Sequence, residues 1–279
     1  MPPAYTPFKK NGRQQNRGMP WLSRGYPMNI QFVEAFWSSD EDGEYSARYT
    51  AKSFWSGFGD AWCWENDAVP LYVTLATIDE TDSLANQLNL FRHSFGPGIL
   101  ILSAHGQDPE EGRRHLQLRS NQGTNIPVGW SDLRCMINAA GNAPLHNKVL
   151  LIDSCSFCAD EQEALKTVAE TQLGLLCGFA RDIEPIDSML LEIAFVNYLL
   201  WEWWDGERAF PTEFLQRAAN PFGAAFLKRY GALSRELGFR VWRWNGNKAE
   251  EIGIPALSSP DNSMETPDPG QPGPANEFS

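Results

Sequence analysis

The sequence predicts an α/β domain built on a parallel sheet with helices on both faces. Three observations carry this. Aliphatic runs such as Gly98-Ile99-Leu100-Ile101-Leu102-Ser103 and Val149-Leu150-Leu151-Ile152 are apolar at successive positions, as a strand covered on both sides must be. Segments of helical period separate these runs, and strands that alternate with helices form parallel sheets. The body is also rich enough in apolar and aromatic residues, 42% hydrophobic with eleven tryptophans in 279 residues, to exclude disorder for most of its length.

Taken in order, Ile30 to Trp37 reads as a first strand, and Tyr45 to Trp55 as a helix after the acidic turn Asp40-Glu41-Asp42-Gly43. Leu71 to Ile78 is β-rich, and Asp82-Ser83 caps a helix running through Phe91. The run from Gly98 to Ser103 is a buried strand. His115 to Arg119 alternates, turns at Asn121-Gln122-Gly123 and returns over Thr124 to Val128, which makes a small hairpin. Ser131 caps a short helix to Ala140, and Val149 to Ile152 is a second buried strand. Glu161 to Thr171 reads as a helix, Leu173 to Phe179 as a strand, and Ser188 to Trp204 as a long apolar helix. Pro211 to Leu237 is helical with a break near Asn220-Pro221, and Phe239 to Trp244 closes the body as an edge strand. The tryptophans of these helices are expected to pack them onto the sheet.

Both ends differ from this body. Residues 1–27 form a basic arm, and the first 29 residues carry Lys9, Lys10, Arg13, Arg17 and Arg24 with no acid, a charge of +5 in a chain of net charge −12. Residues 254–279 hold six prolines among Ser, Gly, Asp and Asn, a disordered tail by composition. Residues 28–253 are therefore the expected folded domain. A pI near 4.8 argues against a nucleic-acid binder acting by bulk charge. The most apolar stretch, Met189 to Trp204, carries Glu192, Asn197 and Glu202 and is shorter than a membrane span. The opening residues have no apolar signal region, and five cysteines are few and odd in number. A cytoplasmic setting with reduced thiols is the expectation.

In a parallel sheet chemistry sits beyond the carboxyl ends of strands. Two ends stand out: Ser103-Ala104-His105-Gly106 and Asp153-Ser154-Cys155. On neighbouring strands these would project an imidazole and a thiol from one edge, as a cysteine nucleophile with a histidine base requires. A following helix N-terminus would lower the Cys155 pKa. The backbone N–H groups of Gly106 and Cys155 would bind the oxyanion of a tetrahedral intermediate.

This arrangement resembles the caspase-like cysteine peptidases, the group of caspases, metacaspases and bacterial CHAT peptidases. The likeness runs from about Leu71 to Leu200: an aliphatic strand to His-Gly, a hairpin, a helix, an aliphatic strand to Cys, then Leu175-Leu176-Cys177-Gly178-Phe179 and a long helix. The resemblance implies a three-layer α/β/α sandwich with a mostly parallel six-stranded sheet. It implies an endopeptidase with His105 and Cys155 as the dyad and Gly106 at the oxyanion site; the sequence shows no clear interdomain cleavage linker, so a single-chain enzyme is expected. Asp153-Ser154-Cys155 is similar to the metacaspase triplet, whose Asp lines the S1 pocket and selects Arg or Lys at P1. Ser156-Phe157-Cys158 stands where metacaspases have His-Ser-Gly. Asp40 and Asp42 are candidates to add acid to the pocket. No metal or organic cofactor is implied; the partners implied are a protein substrate, such as a co-encoded effector, and a regulatory partner in a bacterial defence or cell-death system.

Other readings exist. Cys155-Ser156-Phe157-Cys158 is also a Cys-x-x-Cys at a strand-to-helix junction, the position of a thiol–disulfide redox pair. A caspase-like module could bind without cutting. Asp153 could cap the next helix instead of lining a pocket.

Overall fold

The computed structural model describes residues 28–35, 51–65, 71–94, 96–107, 114–119, 124–139, 141, 143–204 and 224–254. The basic arm, Asp40, Asp42, the break near Asn220-Pro221 and nearly all of the tail lie outside them. So do residues 45–50 of the helix expected from Tyr45. The described helix here, α1 (Lys52–Glu65), continues ten residues beyond Trp55.

The aliphatic runs form the middle of the molecule. Strands β1 (Met28–Ala35), β2 (Leu71–Ile78), β3 (Gly98–Ser103), β7 (Lys148–Asp153), β8 (Leu175–Phe179), β9 (Phe239–Trp244) and β10 (Ala249–Ile252) make one sheet in the order β10-β9-β8-β7-β3-β1-β2. The pairings from β2 through β8 are parallel, and β8–β9 and β9–β10 are antiparallel. A second, three-stranded sheet joins β4 (His105–Gln107), β5 (His115–Arg119) and β6 (Asn125–Val128), so the expected hairpin gains a third strand starting at His105.

Among the described residues the main sheet has seven strands rather than six, and β9 is not its edge. The extra strand follows from the turn after Trp244. Asn245 Oδ1 accepts the Asn247 and Lys248 N–H groups, and Gly246 takes a positive φ of 93°. The chain reverses there and β10 pairs with β9, its Glu250 and Glu251 bridging Arg243 and Arg240.

Two apolar layers result from strand alternation. Ile99, Ile101, Val149 and Leu151 face one way, against Trp55 and Trp62 of α1, Phe226 of α6 (Ala224–Glu236), and Leu191, Phe195 and Leu199 of α5 (Pro185–Trp204). Leu100, Leu102, Leu150 and Ile152 face the other way. They meet Leu84 and Leu88 of α2 (Thr81–His93), Leu133 and Ile137 of α3 (Trp130–Ala139), and Ala164 and Val168 of α4 (Glu161–Thr171). Each such aliphatic side chain contributes roughly 1.5–3 kcal/mol by leaving water. Trp55 stacks on Phe32 of β1 at 6.1 Å, the packing expected of the tryptophans.

Helix starts differ in detail from expectation. In α2 Glu80 is the cap and Ser83 answers it from the third helical position, a reciprocal capping box. At the start of β7, Lys148 is 2% exposed; its ammonium donates to the Ser94 carbonyl and hydroxyl at 2.7 Å and to the Gly96 carbonyl at 2.9 Å. Burial lowers its pKa to about 8.

Candidate active site

Register places the two notable strand ends together. Parallel pairing of β3 with β7 sets Ser103 opposite Asp153, and the Ala104 N–H donates to the Asp153 carbonyl at 3.0 Å. His105 and Cys155 therefore each stand two residues beyond a matched pair, on one edge of the sheet. His105 is exposed, while Cys155 and Gly106 are half-buried.

Gly106 explains why the His-Gly step is needed. A Cβ there would overlap the Cys155 carbonyl oxygen and lie 2.7 Å from Ser154 Oγ and 2.9 Å from the Cys155 carbonyl carbon. Only a residue without a side chain lets β4 rest directly on the Cys155 backbone. Ser154 lies beneath, 2% exposed.

The turn after Cys155 is held from three sides. Ser156 adopts the left-handed conformation with φ 54°, which a non-glycine residue visits at a cost of about 1–2 kcal/mol. Its N–H donates to the Arg181 carbonyl and its hydroxyl to Asp182, both at 2.8 Å, and its carbonyl accepts from Arg114 at 2.6 Å. A 3₁₀ turn, Phe157–Ala159, follows, with Phe157 stacked on Trp130 at 4.3 Å. Helix α4 starts at Glu161, and Asp160 caps it by accepting the Glu163 N–H. The expected helix N-terminus is thus not at Cys155: the 3₁₀ turn intervenes and Asp160 occupies that terminus. Instead, burial and then the charges of Asp182 and Asp153 push the thiol above its ordinary value. The thiol sits 3.8 Å from the Ile183 carbonyl, which accepts from it.

Asp153 does not cap the next helix. It leaves β7 on the same side as Val149 and Leu151, toward α5, and accepts from Ser103 Oγ at 2.8 Å. Ser188 and Glu192 of α5, one helical turn apart, lie on the side of α5 toward this carboxylate, and the Ser188 hydroxyl donates to the Pro185 carbonyl at 3.1 Å. Asp153 keeps partial exposure, whereas Glu192 is 1% exposed. Burial, then the Asp153 charge, holds the Glu192 carboxyl well above the usual range. Burial also raises Asp153, opposed by its hydrogen bonds.

Cys158 is not placed as an exposed redox partner. It is fully buried, its sulfur filling the space where a Gly178 side chain would be, and burial raises its thiol far from reactivity. Among the described residues no group of three or more His, Cys, Asp or Glu side chains could hold a metal ion. No described helix is long and apolar enough to cross a membrane. Sequence reading singled out His105, Gly106, Asp153 and Cys155 but passed over Glu192 as a site residue. Its signal was an acid in the middle of an apolar helix.

No family model matches the chain, and no curated protein matches it. Solved structures do. The chain is similar to a secreted C11 cysteine protease from Bacteroides thetaiotaomicron, solved with an irreversible peptide inhibitor, at 11% identity and a TM-score of 0.45. The match covers 78% of this chain and 66% of that one. The Drosophila initiator caspase Dronc matches at 11% identity and a TM-score of 0.40, covering 82% of both chains. An ABC transporter permease from the Pseudomonas fluorescens group matches at 10% identity and a TM-score of 0.30, over 81% of this chain and 56% of that one.

Proposed function

We propose that the chain is a cysteine endopeptidase that cuts protein substrates after a basic residue, with Cys155 as nucleophile and His105 as its base and acid. One observation carries the reading: the β3–β7 register brings His105-Gly106 against Asp153-Ser154-Cys155, and Gly106 rests on the Cys155 backbone without room for a side chain.

In the reaction, His105 takes the thiol proton and the thiolate attacks the scissile carbonyl carbon. The carbonyl π electrons move to oxygen, which the Gly106 and Cys155 N–H groups stabilise. Collapse breaks the C–N bond as His105 protonates the leaving amine. Water, deprotonated by His105, then hydrolyses the thioester and restores the thiol. Asp153 lines the pocket for the residue before the cut, where a partly dehydrated carboxylate pairs strongly with a guanidinium or ammonium. The proposed setting is cleavage of a co-encoded effector in a defence system.

The test compares wild type, Cys155→Ala and His105→Ala on peptides with Arg, Lys, Asp or Leu at P1. Cleavage after Arg and Lys, lost in both variants, is the expected result. Equal activity in all three proteins ends the peptidase reading, preferential cutting after Asp ends the role given to Asp153, and no cleavage by any of them favours a binding module.

A further inference from the structure

The residue after the candidate nucleophile is held in a conformation it would not adopt alone. Ser156 has φ 54° and ψ −2°, left-handed backbone that disfavours any residue carrying a side chain. Relaxation would rotate the peptide groups on either side of Ser156, and Cys155 with them. Contacts from outside the turn must therefore hold it.

Two of those contacts come from one place. The Arg181 carbonyl accepts the Ser156 N–H and Asp182 accepts its hydroxyl, both on the connection from β8 to α5. The third comes from the small sheet. Arg114 Nη1 donates to the Ser156 carbonyl at 2.6 Å, a short bond from a charged donor. Arg114 directly precedes β5, whose His115 pairs with Gln107 of β4, and β4 begins at His105. One small sheet thus carries the candidate base and also grips the turn that carries the candidate nucleophile.

We infer that Arg114 is a positioning residue: by holding the Ser156 carbonyl it keeps the strained turn, and hence Cys155, aligned with His105. This rests on the peptidase reading above. A guanidinium suits the task, because its rigid fork fixes a direction as well as a charge. The strain to be held corresponds to about 5- to 30-fold in population for a residue with a side chain. A glycine at position 156 would take the left-handed conformation without that penalty and would depend on Arg114 much less.

The test is a double-mutant cycle of Arg114→Met and Ser156→Gly, read by kcat and KM on whichever P1 peptide the wild type cuts best. Arg114→Met should lower kcat by about 5- to 30-fold and leave KM within about threefold. In the Ser156→Gly background the same replacement should cost less than about threefold. Arg114→Lys keeps a charged donor and should lose less than Arg114→Met. A fold that merely weakened would lose activity alike in both backgrounds. Iodoacetamide labelling of Cys155 is the second readout, with the exposed Cys135 as internal reference. It should quicken by at least about fivefold in Arg114→Met and by less than about threefold when Ser156→Gly is the background. Equal losses in the two backgrounds, a loss carried by KM, a Lys variant as impaired as Met, or unchanged labelling each overturns the inference. If wild type cuts no peptide the peptidase reading fails, and labelling alone decides: quickening that Ser156→Gly suppresses upholds the role of Arg114, and its absence overturns it.

Discussion

Replacing Gly106 by alanine tests the geometry on which the whole site depends. The new methyl would meet backbone rather than a flexible side chain: it would overlap the Cys155 carbonyl oxygen and lie 2.9 Å from the carbonyl carbon. Non-bonded carbons rest about 3.5–4.0 Å apart, so the carbon alone is short by at least about 0.6 Å. The oxygen in front of it demands more, a separation of β4 from the Cys155 turn on the order of 1 Å. His105 and the Gly106 N–H both move with β4. A 1 Å misplacement of catalytic groups can cost about 10²-fold, so kcat/KM on an arginyl peptide should fall by about that much. Overpacking should also cost about 1–3 kcal/mol, a fall in Tm of roughly 2–12 °C. Steady-state kinetics with a thermal scan reads both. A Gly106→Ala protein with near wild-type kcat/KM and Tm would show that β4 does not need to rest on Cys155, and the oxyanion assignment would fall with it.

Four further outcomes are expected. Alkylation of Cys155 by iodoacetamide, followed by mass spectrometry of its peptide, should be slow at neutral pH and rise through a midpoint above the ordinary thiol value of 9.0; a midpoint below it would contradict the burial and acidic neighbours described. Folded Glu192 holds its proton to higher pH than unfolded glutamate, so stability falls as pH climbs above 4.5 toward the folded pKa. Glu192→Gln should flatten that slope in pH-dependent thermal scans. Folded Lys148 loses its proton near pH 8 and an unfolded lysine near 10.5, so stability should rise with pH between them, and Lys148→Met should abolish the rise. Gly178→Ala, whose methyl would overlap Cys158 Sγ and lie 2.9 Å from the Ile152 carbonyl oxygen, should destabilise by about 1–3 kcal/mol, with partial rescue by Cys158→Ala in urea unfolding.

The inner strands were legible because full burial leaves an unmistakable pattern. Ile99 to Leu102 and Val149 to Ile152 have no polar position and admit no other placement. That His105 and Cys155 follow such runs was legible for the same reason. What escaped reading depended on the chain's return path. Strand β10 carries Glu250 and Glu251, which look like solvent residues until cross-strand arginines are known, although Asn245-Gly246 signalled the reversal. The left-handed Ser156 is invisible locally, because only contacts with Arg114, Arg181 and Asp182 hold it. Those same contacts displaced the helix N-terminus that had been expected to lower the Cys155 pKa. Glu192 read as an interruption in an apolar helix because its partner lies 39 positions earlier on β7.

The β3–β7 ladder would also make the proposed chemistry an all-or-none report on folding. Side chains alternate along a strand, so a slip of one residue would turn Asp153 away from α5 and toward α3 and α4. It would at once part the His105 and Cys155 ends and free the Gly106 contact. On the proposed reading, a misregistered molecule would be inert rather than sluggish or less selective, and strand pairing itself would decide whether the activity exists.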